Sequence, residues 1–237
     1  MLKAIFFDLD GTLLPLNEDE FMKIYFGLLC GKMVNYGYNP EELTSVIWNG
    51  TMLMYKNDGS KTNEEAFWNY FKEHYGEGKY KDKIYLDEFY LNEFKKTQDA
   101  CGDNLEALEI IDFCKENKLK IILSTNPIFP KEATMCRMSY IGLKESDFDF
   151  VTTYENSSYC KPNPKYFMWL LDKYDLKPEE VIVFGNNTYE DGECALSCGM
   201  KCYMVGDYVI NHPKSVHKFE HIKINEIIDR IKKHMSI

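Results

Sequence analysis

Short apolar runs that end in polar residues recur along this 237-residue chain. The runs are KAIFF (3–7), LKIIL (119–123), DFVTT (149–153), EVIVF (180–184) and MKCYMV (200–205). Between them, the apolar spacing typical of amphipathic helices spans 103–117, 163–175 and 190–198. Buried strands that alternate with helices form parallel sheets covered on both faces. The pattern therefore predicts an α/β fold with a doubly wound, Rossmann-like parallel sheet.

Residues 16–100 interrupt this alternation. They contain no convincing buried-strand run, but amphipathic helical patterns span about 18–34, 40–56, 63–75 and 82–98. We therefore predict two domains. Residues 1–15 and 101–237 form the α/β core, and residues 16–100, here called the helical insert, form a mostly helical domain in the middle of it. Residues just after Thr12 and around Trp48 are expected to take part in ligand recognition.

Polar residues follow the first, second and fourth apolar runs directly. They are Asp8, Asp10, Gly11 and Thr12 after the first run, Ser124, Thr125 and Asn126 after the second, and Gly185, Asn186 and Asn187 after the fourth, with Glu190 and Asp191 close behind. Lys161 begins a KPNP segment before a predicted helix. Ligands of open α/β sheets bind beyond the carboxyl ends of the strands, so these residues are expected to form one polar pocket.

The side chains of Asp8 and Asp10 lie on the same side of an extended segment, and Gly11 permits a sharp turn after them. Together with Glu190 or Asp191, such carboxylates repel each other strongly in a partly buried site unless a cation is present. Mg²⁺ suits a site with few protein ligands and retained waters. Phosphate oxygens could then accept hydrogen bonds from Ser124 and the amides that follow it.

Four segments resemble the motifs of the haloacid dehalogenase superfamily, in their usual order. They are FFDLDGTLL (6–14), ILSTNP (122–127), CKPNPKYF (160–167) and VIVFGNNTYEDG (181–192). The similarity is to the branch whose helical cap is inserted after the first strand. It covers residues 1–15 and about 101–205, whereas the insert matches only in position, length and helicity.

The resemblance implies a Mg²⁺-dependent phosphatase that acts on a small phosphomonoester. In that mechanism Asp8 attacks phosphorus to form an aspartyl-phosphate. Asp10 protonates the leaving oxygen and then deprotonates the hydrolytic water. Lys161 compensates the negative charge on Asp8 and the phosphate. The phosphate-binding positions implied by the matching motifs are Gly11, Thr12, Ser124, Thr125, Asn126 and Lys161.

The same resemblance implies that Mg²⁺ is bound by the carboxylate of Asp8, the backbone carbonyl of Asp10 and an acid after Gly185. The chain departs from the family here, because the usual Gly-Asp pair is Gly185-Asn186. An amide oxygen can bind Mg²⁺ but contributes no charge. Asp191 is therefore the first choice for the remaining ligand, and Glu190 and Asn186 are the alternatives.

Two other functions stay open. A phosphomutase would use the same site to transfer the phosphoryl group to another hydroxyl, and a phospho-ligand binding or regulatory protein would have lost turnover through the altered Asn186 site. Retention of both Asp8 and Asp10 favours an enzyme, since binding needs no nucleophile and acid. Asp10 also argues for phosphate chemistry, because the dehalogenating branch lacks that acid.

The chain carries 28 basic and 38 acidic residues, for a formal net charge of −10. Such a surface repels nucleic acids and anionic membranes, so we expect neither as a partner. The first apolar run is too short for a secretory or membrane segment, and we therefore expect a cytoplasmic protein. Its predicted partner is a small phosphorylated molecule, and the sequence leaves the oligomeric state open.

Overall fold

A computed structural model describes residues 1–235 of the chain. Residues 236 and 237, which end the predicted core domain, lie outside the described residues. The strands are β1 (Ala4–Phe7), β2 (Lys120–Leu123), β3 (Phe150–Val151), β4 (Val181–Gly185), β5 (Lys201–Val205) and β6 (Glu220–Ile222). They form one sheet in the order β3-β2-β1-β4-β5-β6, and every neighbouring pair is parallel. The predicted α/β fold is confirmed.

Five helices lie between β1 and β2 in the sequence. They are α1 (Glu18–Met33), α2 (Pro40–Tyr55), α3 (Asn63–Tyr75), α4 (Glu77–Tyr80) and α5 (Lys83–Leu91). The side chains of Asn17, Asn39 and Thr62 cap the first three by accepting hydrogen bonds from backbone N–H groups. A 3-10 segment, Glu93–Ala100, then leads back toward the sheet. The helical patterns of the sequence thus begin close to where the structure places helices.

Helices on both faces cover the sheet. They are α6 (Glu106–Glu116), α7 (Lys131–Ser139), α8 (Lys165–Lys173), α9 (Cys194–Ser197) and α10 (Ile227–Met235). Alternate residues of β1 separate the two faces: Ile5 and Phe7 belong to the apolar cluster that contains α6, α7 and α10, while Phe6 belongs to the cluster that contains α8 and α9. This division is the period-two alternation expected of a strand buried on both sides.

The helical insert packs directly on the carboxyl end of the sheet. Phe21 of α1 and Phe94 contact Phe129, which follows β2, with ring centroids 6.1 and 6.2 Å apart respectively. Phe21 and Phe94 belong to the apolar cluster that also contains Ile5 and Phe7 of β1, and Phe129 packs against it. The insert therefore covers the edge at which the polar motifs end. Within residues 1–235, no helix combines the length and apolar character that crossing a membrane requires.

Candidate active site

A buried ammonium group joins two carboxylates at the carboxyl end of β1. The Nζ atom of Lys161 lies 2.9 Å from Oδ1 of Asp8 and 2.5 Å from Oδ1 of Asp191. Only 1% of the lysine is exposed. Burial alone would lower the pKa of Lys161, but the adjacent Asp191 and Asp8 raise it well above its ordinary value. Lys161 is therefore a fixed positive charge beside Asp8.

Asp8 is held by the neighbouring strand β4 and by the turn that follows Asp8 itself. Its backbone N–H donates to the carbonyl of Phe184 at 2.8 Å, and Thr12 Oγ1 donates to its Oδ2 at 3.3 Å. Burial raises the pKa of Asp8 to about 7, although the charge of Lys161 opposes the increase. A second cation near this carboxylate would favour its ionised, nucleophilic form.

Asp10 is paired with an arginine that the sequence analysis did not identify. A guanidinium nitrogen of Arg137, on α7, donates to Oδ2 of Asp10. The other oxygen, Oδ1, is buried and has no hydrogen-bond partner among residues 1–235. Burial raises the pKa of Asp10, while Arg137 and Lys161 act in the opposite direction. One oxygen of this carboxyl group is thus held by Arg137, whereas the other has no hydrogen bond among the described residues.

The position of Arg137 is set by its own helix. Its Nε donates to the carbonyl of Ala133 at 3.3 Å, and its guanidinium group lies 4.5 Å from the ring centroid of Phe129. Only two of the 28 basic residues in the chain are arginines. The structure buries Arg137 on the same helix face as Ala133 and Met138. The rarity of arginine is the sequence signal that singles this residue out, but it does not identify Asp10 as the partner.

The loop after β4 is ordered by Asp191. Its Oδ2 accepts hydrogen bonds from the backbone N–H groups of Asn186 and Asn187 at 3.1 and 3.0 Å. The side chain of Asn186 donates to the carbonyl of Tyr208 at 3.0 Å and lies against Gly11, where a Cβ atom would collide with it. Glycine is therefore required at position 11, which also has a positive φ of 74°.

Glu190 belongs to a network that joins the helical insert to the sheet. Tyr55, the last residue of α2, donates to Oε1 of Glu190 at 3.1 Å. Asn126 Nδ2 lies 2.9 Å from Oε2 of Glu190 and 3.1 Å from the Tyr55 hydroxyl. Burial raises the pKa of Glu190 to about 7. This network fixes the end of α2 over the site.

The remaining predicted phosphate-binding residues lie at two depths. Thr125 and Asn126 line the cavity, and the carbonyl of Thr125 accepts a hydrogen bond from the hydroxyl of Tyr166 at 2.9 Å. Ser124 is fully buried below them, where its Oγ lies 3.2 Å from the carbonyl of Phe7. Thr125 and Asn126 therefore border the cavity, whereas Ser124 does not.

These groups surround a cavity of about 250 Å³ between the sheet and the insert. Its lining in residues 1–235 includes five carboxyl groups and two cationic groups. The acids are Asp8, Asp10, Glu18, Glu190 and Asp191, and the cations are Arg137 and Lys161. This excess of negative charge is the electrostatic condition that a hard divalent cation relieves.

The side chains alone form no closed metal site. Among residues 1–235, no group of three or more acidic, histidine or cysteine side chains is placed so that it could hold a metal ion by itself. Both side-chain oxygens of Asp191 already accept hydrogen bonds. The donor set nevertheless suits Mg²⁺, which commonly uses few carboxylates together with other oxygen ligands and water. The carboxylate of Asp8, the backbone carbonyl of Asp10 and one residue after Gly185 could supply such oxygens.

A parallel sheet with an aspartate pair and a lysine at its carboxyl edge is the arrangement that the sequence motifs predict. The sequence model for haloacid dehalogenase-like hydrolases matches residues 5–205, and the chain belongs to that family. The resemblance inferred from the motifs is thereby confirmed. No curated protein matches the chain.

Solved structures share the fold over almost the whole chain. A HAD phosphatase from Thermococcus onnurineus is 17% identical with a TM-score of 0.61, covering 97% of this chain and 98% of that one. A β-phosphoglucomutase from Clostridium difficile is 17% identical with a TM-score of 0.57 and coverages of 100% and 98%. A 2-haloacid dehalogenase from Pseudomonas syringae pv. Tomato DC3000 is 14% identical, with a TM-score of 0.64 and coverages of 98% and 99%. Since one fold carries all three activities, the residues of the site must decide the function.

Proposed function

We propose that this protein is a Mg²⁺-dependent phosphatase that hydrolyses a small phosphomonoester through an aspartyl-phosphate on Asp8. The observation that carries the proposal is the second carboxyl group, Asp10, with one oxygen held by Arg137 and the other free. A nucleophilic carboxylate and a proton-exchanging carboxyl group two residues apart are what the two half-reactions of phosphate hydrolysis need.

In the first half-reaction, a carboxylate oxygen of Asp8 forms a bond to phosphorus while the bond to the leaving oxygen breaks. Asp10 donates its proton to that leaving oxygen. In the second, water attacks phosphorus and transfers a proton to Asp10, and the bond between phosphorus and Asp8 breaks to release phosphate. The burial that raises the pKa of Asp10 favours the protonated form that the first half-reaction uses.

Mg²⁺ would be held by the carboxylate of Asp8, the backbone carbonyl of Asp10 and one of Asp191, Glu190 or Asn186. When bound, it would neutralise charge on the phosphoryl oxygens and orient them for in-line attack. Lys161 keeps its positive charge beside the phosphoryl group. The amides near Thr125 and Asn126 supply further donors for phosphate oxygens.

The helical insert acts in this proposal as a cap. Tyr55 connects it to Glu190 and Asn126, so the insert closes over the phosphoryl site and excludes bulk water. Transfer to a sugar hydroxyl and ligand binding without turnover are the alternative functions. Neither one is favoured by a specific contact in the site.

The test is a phosphate-release assay on sugar phosphates, nucleotides, phosphoglycolate and simple alkyl phosphates, with and without Mg²⁺. We expect Mg²⁺-dependent release that is lost in Asp8→Asn and retained in the matched control Asp172→Asn, which changes an exposed acid on α8. Activity that survives Asp8→Asn would contradict the covalent mechanism. Isomerised sugar phosphate without phosphate release would identify a mutase, and binding without turnover would favour the regulatory alternative.

A further inference from the structure

The roof of the cavity is made of aromatic and aliphatic side chains of the helical insert. They include Phe21, Tyr25, Phe26, Trp48, Trp68 and Tyr90. In this wall, ring faces and methyl groups would contact the alcohol part of a bound phosphate ester. The phosphoryl end of the cavity, by contrast, is polar and charged. The cavity thus has one polar end and one apolar end.

Most of the polar side-chain atoms of this roof already have partners, and the indole N–H of Trp48, which is 47% exposed, is the exception among those described. The hydroxyls of Tyr25 and Tyr90 are 2.9 Å apart, and the indole N–H of Trp68 donates to the hydroxyl of Tyr154 at 3.2 Å. Thr51 donates to the carbonyl of Ile47, in its own helix, at 2.9 Å. A ligand with several hydroxyls would lose water here without gaining matching hydrogen bonds, which is unfavourable.

The charges of the lining disfavour a second anionic group on the ligand. Among the lining residues that the structure describes, only Arg137 and Lys161 are basic, and both are engaged by carboxylates. The charged residue that the insert contributes is Glu18. A carboxylate or second phosphate beyond the reacting phosphoryl group would meet this acid and an apolar wall, without a free cation.

We infer that the alcohol part of the substrate is a small, uncharged, aromatic or otherwise apolar group. This inference rests on the proposed phosphatase function and specifies its substrate class. The cavity of about 250 Å³ lies just below the roughly 300–1,000 Å³ of ordinary ligand pockets, which limits the size of this group. Benzyl phosphate is a suitable probe, because it joins one ring to a phosphomonoester through a primary alcohol.

The test compares kcat/KM for benzyl phosphate with that for glucose 6-phosphate, ribose 5-phosphate and phosphoglycolate. All four are phosphate esters of primary alcohols, so their intrinsic rates of hydrolysis are similar. Differences in kcat/KM therefore reflect how well the cavity binds each alcohol part. We expect benzyl phosphate to be preferred at least tenfold. Equal values, or a preference for a sugar phosphate or phosphoglycolate, would overturn the inference while leaving the phosphatase function intact.

A binding measurement separates the two proposals if no ester is hydrolysed. Isothermal titration of the wild-type protein with benzylphosphonate and methylphosphonate, in Mg²⁺, compares ligands that differ by one ring. Binding of benzylphosphonate at least tenfold more tightly supports the apolar site even if the phosphatase function fails. Equal affinities, or no binding of either ligand, would overturn the inference.

Substitutions of Trp48 and Phe26, which line the cavity, test where the apolar site lies. Trp48 is 47% exposed and Phe26 is half-buried, and their rings lie 5.7 Å apart, so neither substitution empties a fully buried position. In Trp48→Ala and Phe26→Ala, the preference for benzyl phosphate over glucose 6-phosphate should fall at least threefold. The matched control is Met52→Ala, on the same helix as Trp48, 46% exposed and outside the cavity lining. An equal change in the control would place the apolar site elsewhere.

Discussion

Arg137 and Asp10 form a largely buried ion pair that connects a helix of the core to the residue proposed as general acid. The pair fixes Oδ2 of Asp10 and leaves Oδ1 without a partner among the residues described. Because the arginine side chain is itself held by Ala133 and Phe129, the orientation of the carboxyl group is set before any ligand binds. Such preorganisation is what proton transfer in an active site requires.

Removing the arginine should leave a buried carboxylate unpaired. We expect Arg137→Met to lower the free energy of unfolding by about 3 kcal/mol, the lower end of the roughly 3–5 kcal/mol measured when one partner of a buried pair is lost. In the double variant Arg137→Met/Asp10→Asn, most of this loss should be recovered, since the amide carries no charge. Urea unfolding of wild type, the single variants Arg137→Met and Asp10→Asn, and the double variant measures the coupling. If the stability loss of the double variant equals the sum of the losses of the two single variants, the ion pair does not stabilise the fold.

Asn186 stands where an acid is usual in this family, and the substitution Asn186→Asp tests its effect on metal binding. One added negative charge close to a bound cation contributes roughly 1–4 kcal/mol to the free energy of binding. We therefore expect Mg²⁺ to bind at least about tenfold more tightly. The metal-dependent rise in melting temperature measures the affinity.

The control for that substitution is Asn187→Asp, which adds the same charge one residue further along. Asn187 accepts hydrogen bonds from the backbone N–H groups of Tyr189 and Glu190, a role that aspartate can keep. A smaller effect in Asn187→Asp is expected. Equal shifts in both variants would mean that only the overall charge matters, and an unchanged titration in Asn186→Asp would contradict the prediction.

The sequence was sufficient to predict five of the six strands and the residues at their carboxyl ends, whereas β6, at the edge of the sheet, is not among the apolar runs. Buried parallel strands appear as uninterrupted apolar runs, and in such a sheet the residues that follow these runs meet at one edge. Asp8, Lys161 and Asp191 are far apart in the chain but share hydrogen bonds in the structure. These residues come together because the strands of the sheet are parallel, an arrangement that the pattern of apolar runs predicts.

The partners of Asp10 and Glu190 could not be predicted in the same way. Arg137 lies on α7, which has a weak apolar pattern and was not recognised, and Tyr55 lies at the end of a helix in the insert. Both contacts depend on how helices pack against the sheet. Helix packing is determined by the shapes of many side chains rather than by a short motif, so a motif search does not find such residues.

The hydroxyl of Tyr55 is expected to stabilise the closed position of the helical insert. Tyr55→Phe removes the hydrogen bonds to Glu190 and Asn126, and we expect a loss of about 1 kcal/mol in the free energy of unfolding. Hydrogen exchange at the end of α2 should become faster. The matched control is Tyr75→Phe, because the Tyr75 hydroxyl is buried without a hydrogen-bond partner within residues 1–235. Equal losses in both variants would contradict a specific role for Tyr55.

Glu193 should make stability depend on pH in the acid range. Its carboxylate accepts hydrogen bonds from the backbone N–H groups of Val216 and His217 at 2.6 and 2.8 Å, and from the hydroxyl of Ser215 at 2.9 Å. Partial burial raises the pKa of Glu193, but the hydrogen bonds from His217, Ser215 and Val216 outweigh it and lower the pKa to about 2 from its ordinary 4.5. The folded state therefore favours the ionised form.

A lowered pKa in the folded state stabilises the protein above the ordinary pKa, and this contribution disappears as the pH falls through the folded-state value. We expect Glu193→Gln to be less stable than wild type at pH 6, with the difference shrinking between about pH 5 and pH 2. Urea unfolding at several pH values measures this. Glu179→Gln, at an exposed acid with no hydrogen bond or ion pair from its side chain to residues 1–235, is the control. A difference in stability between Glu193→Gln and wild type that is constant over this pH range would show that the hydrogen bonds do not favour the ionised carboxylate.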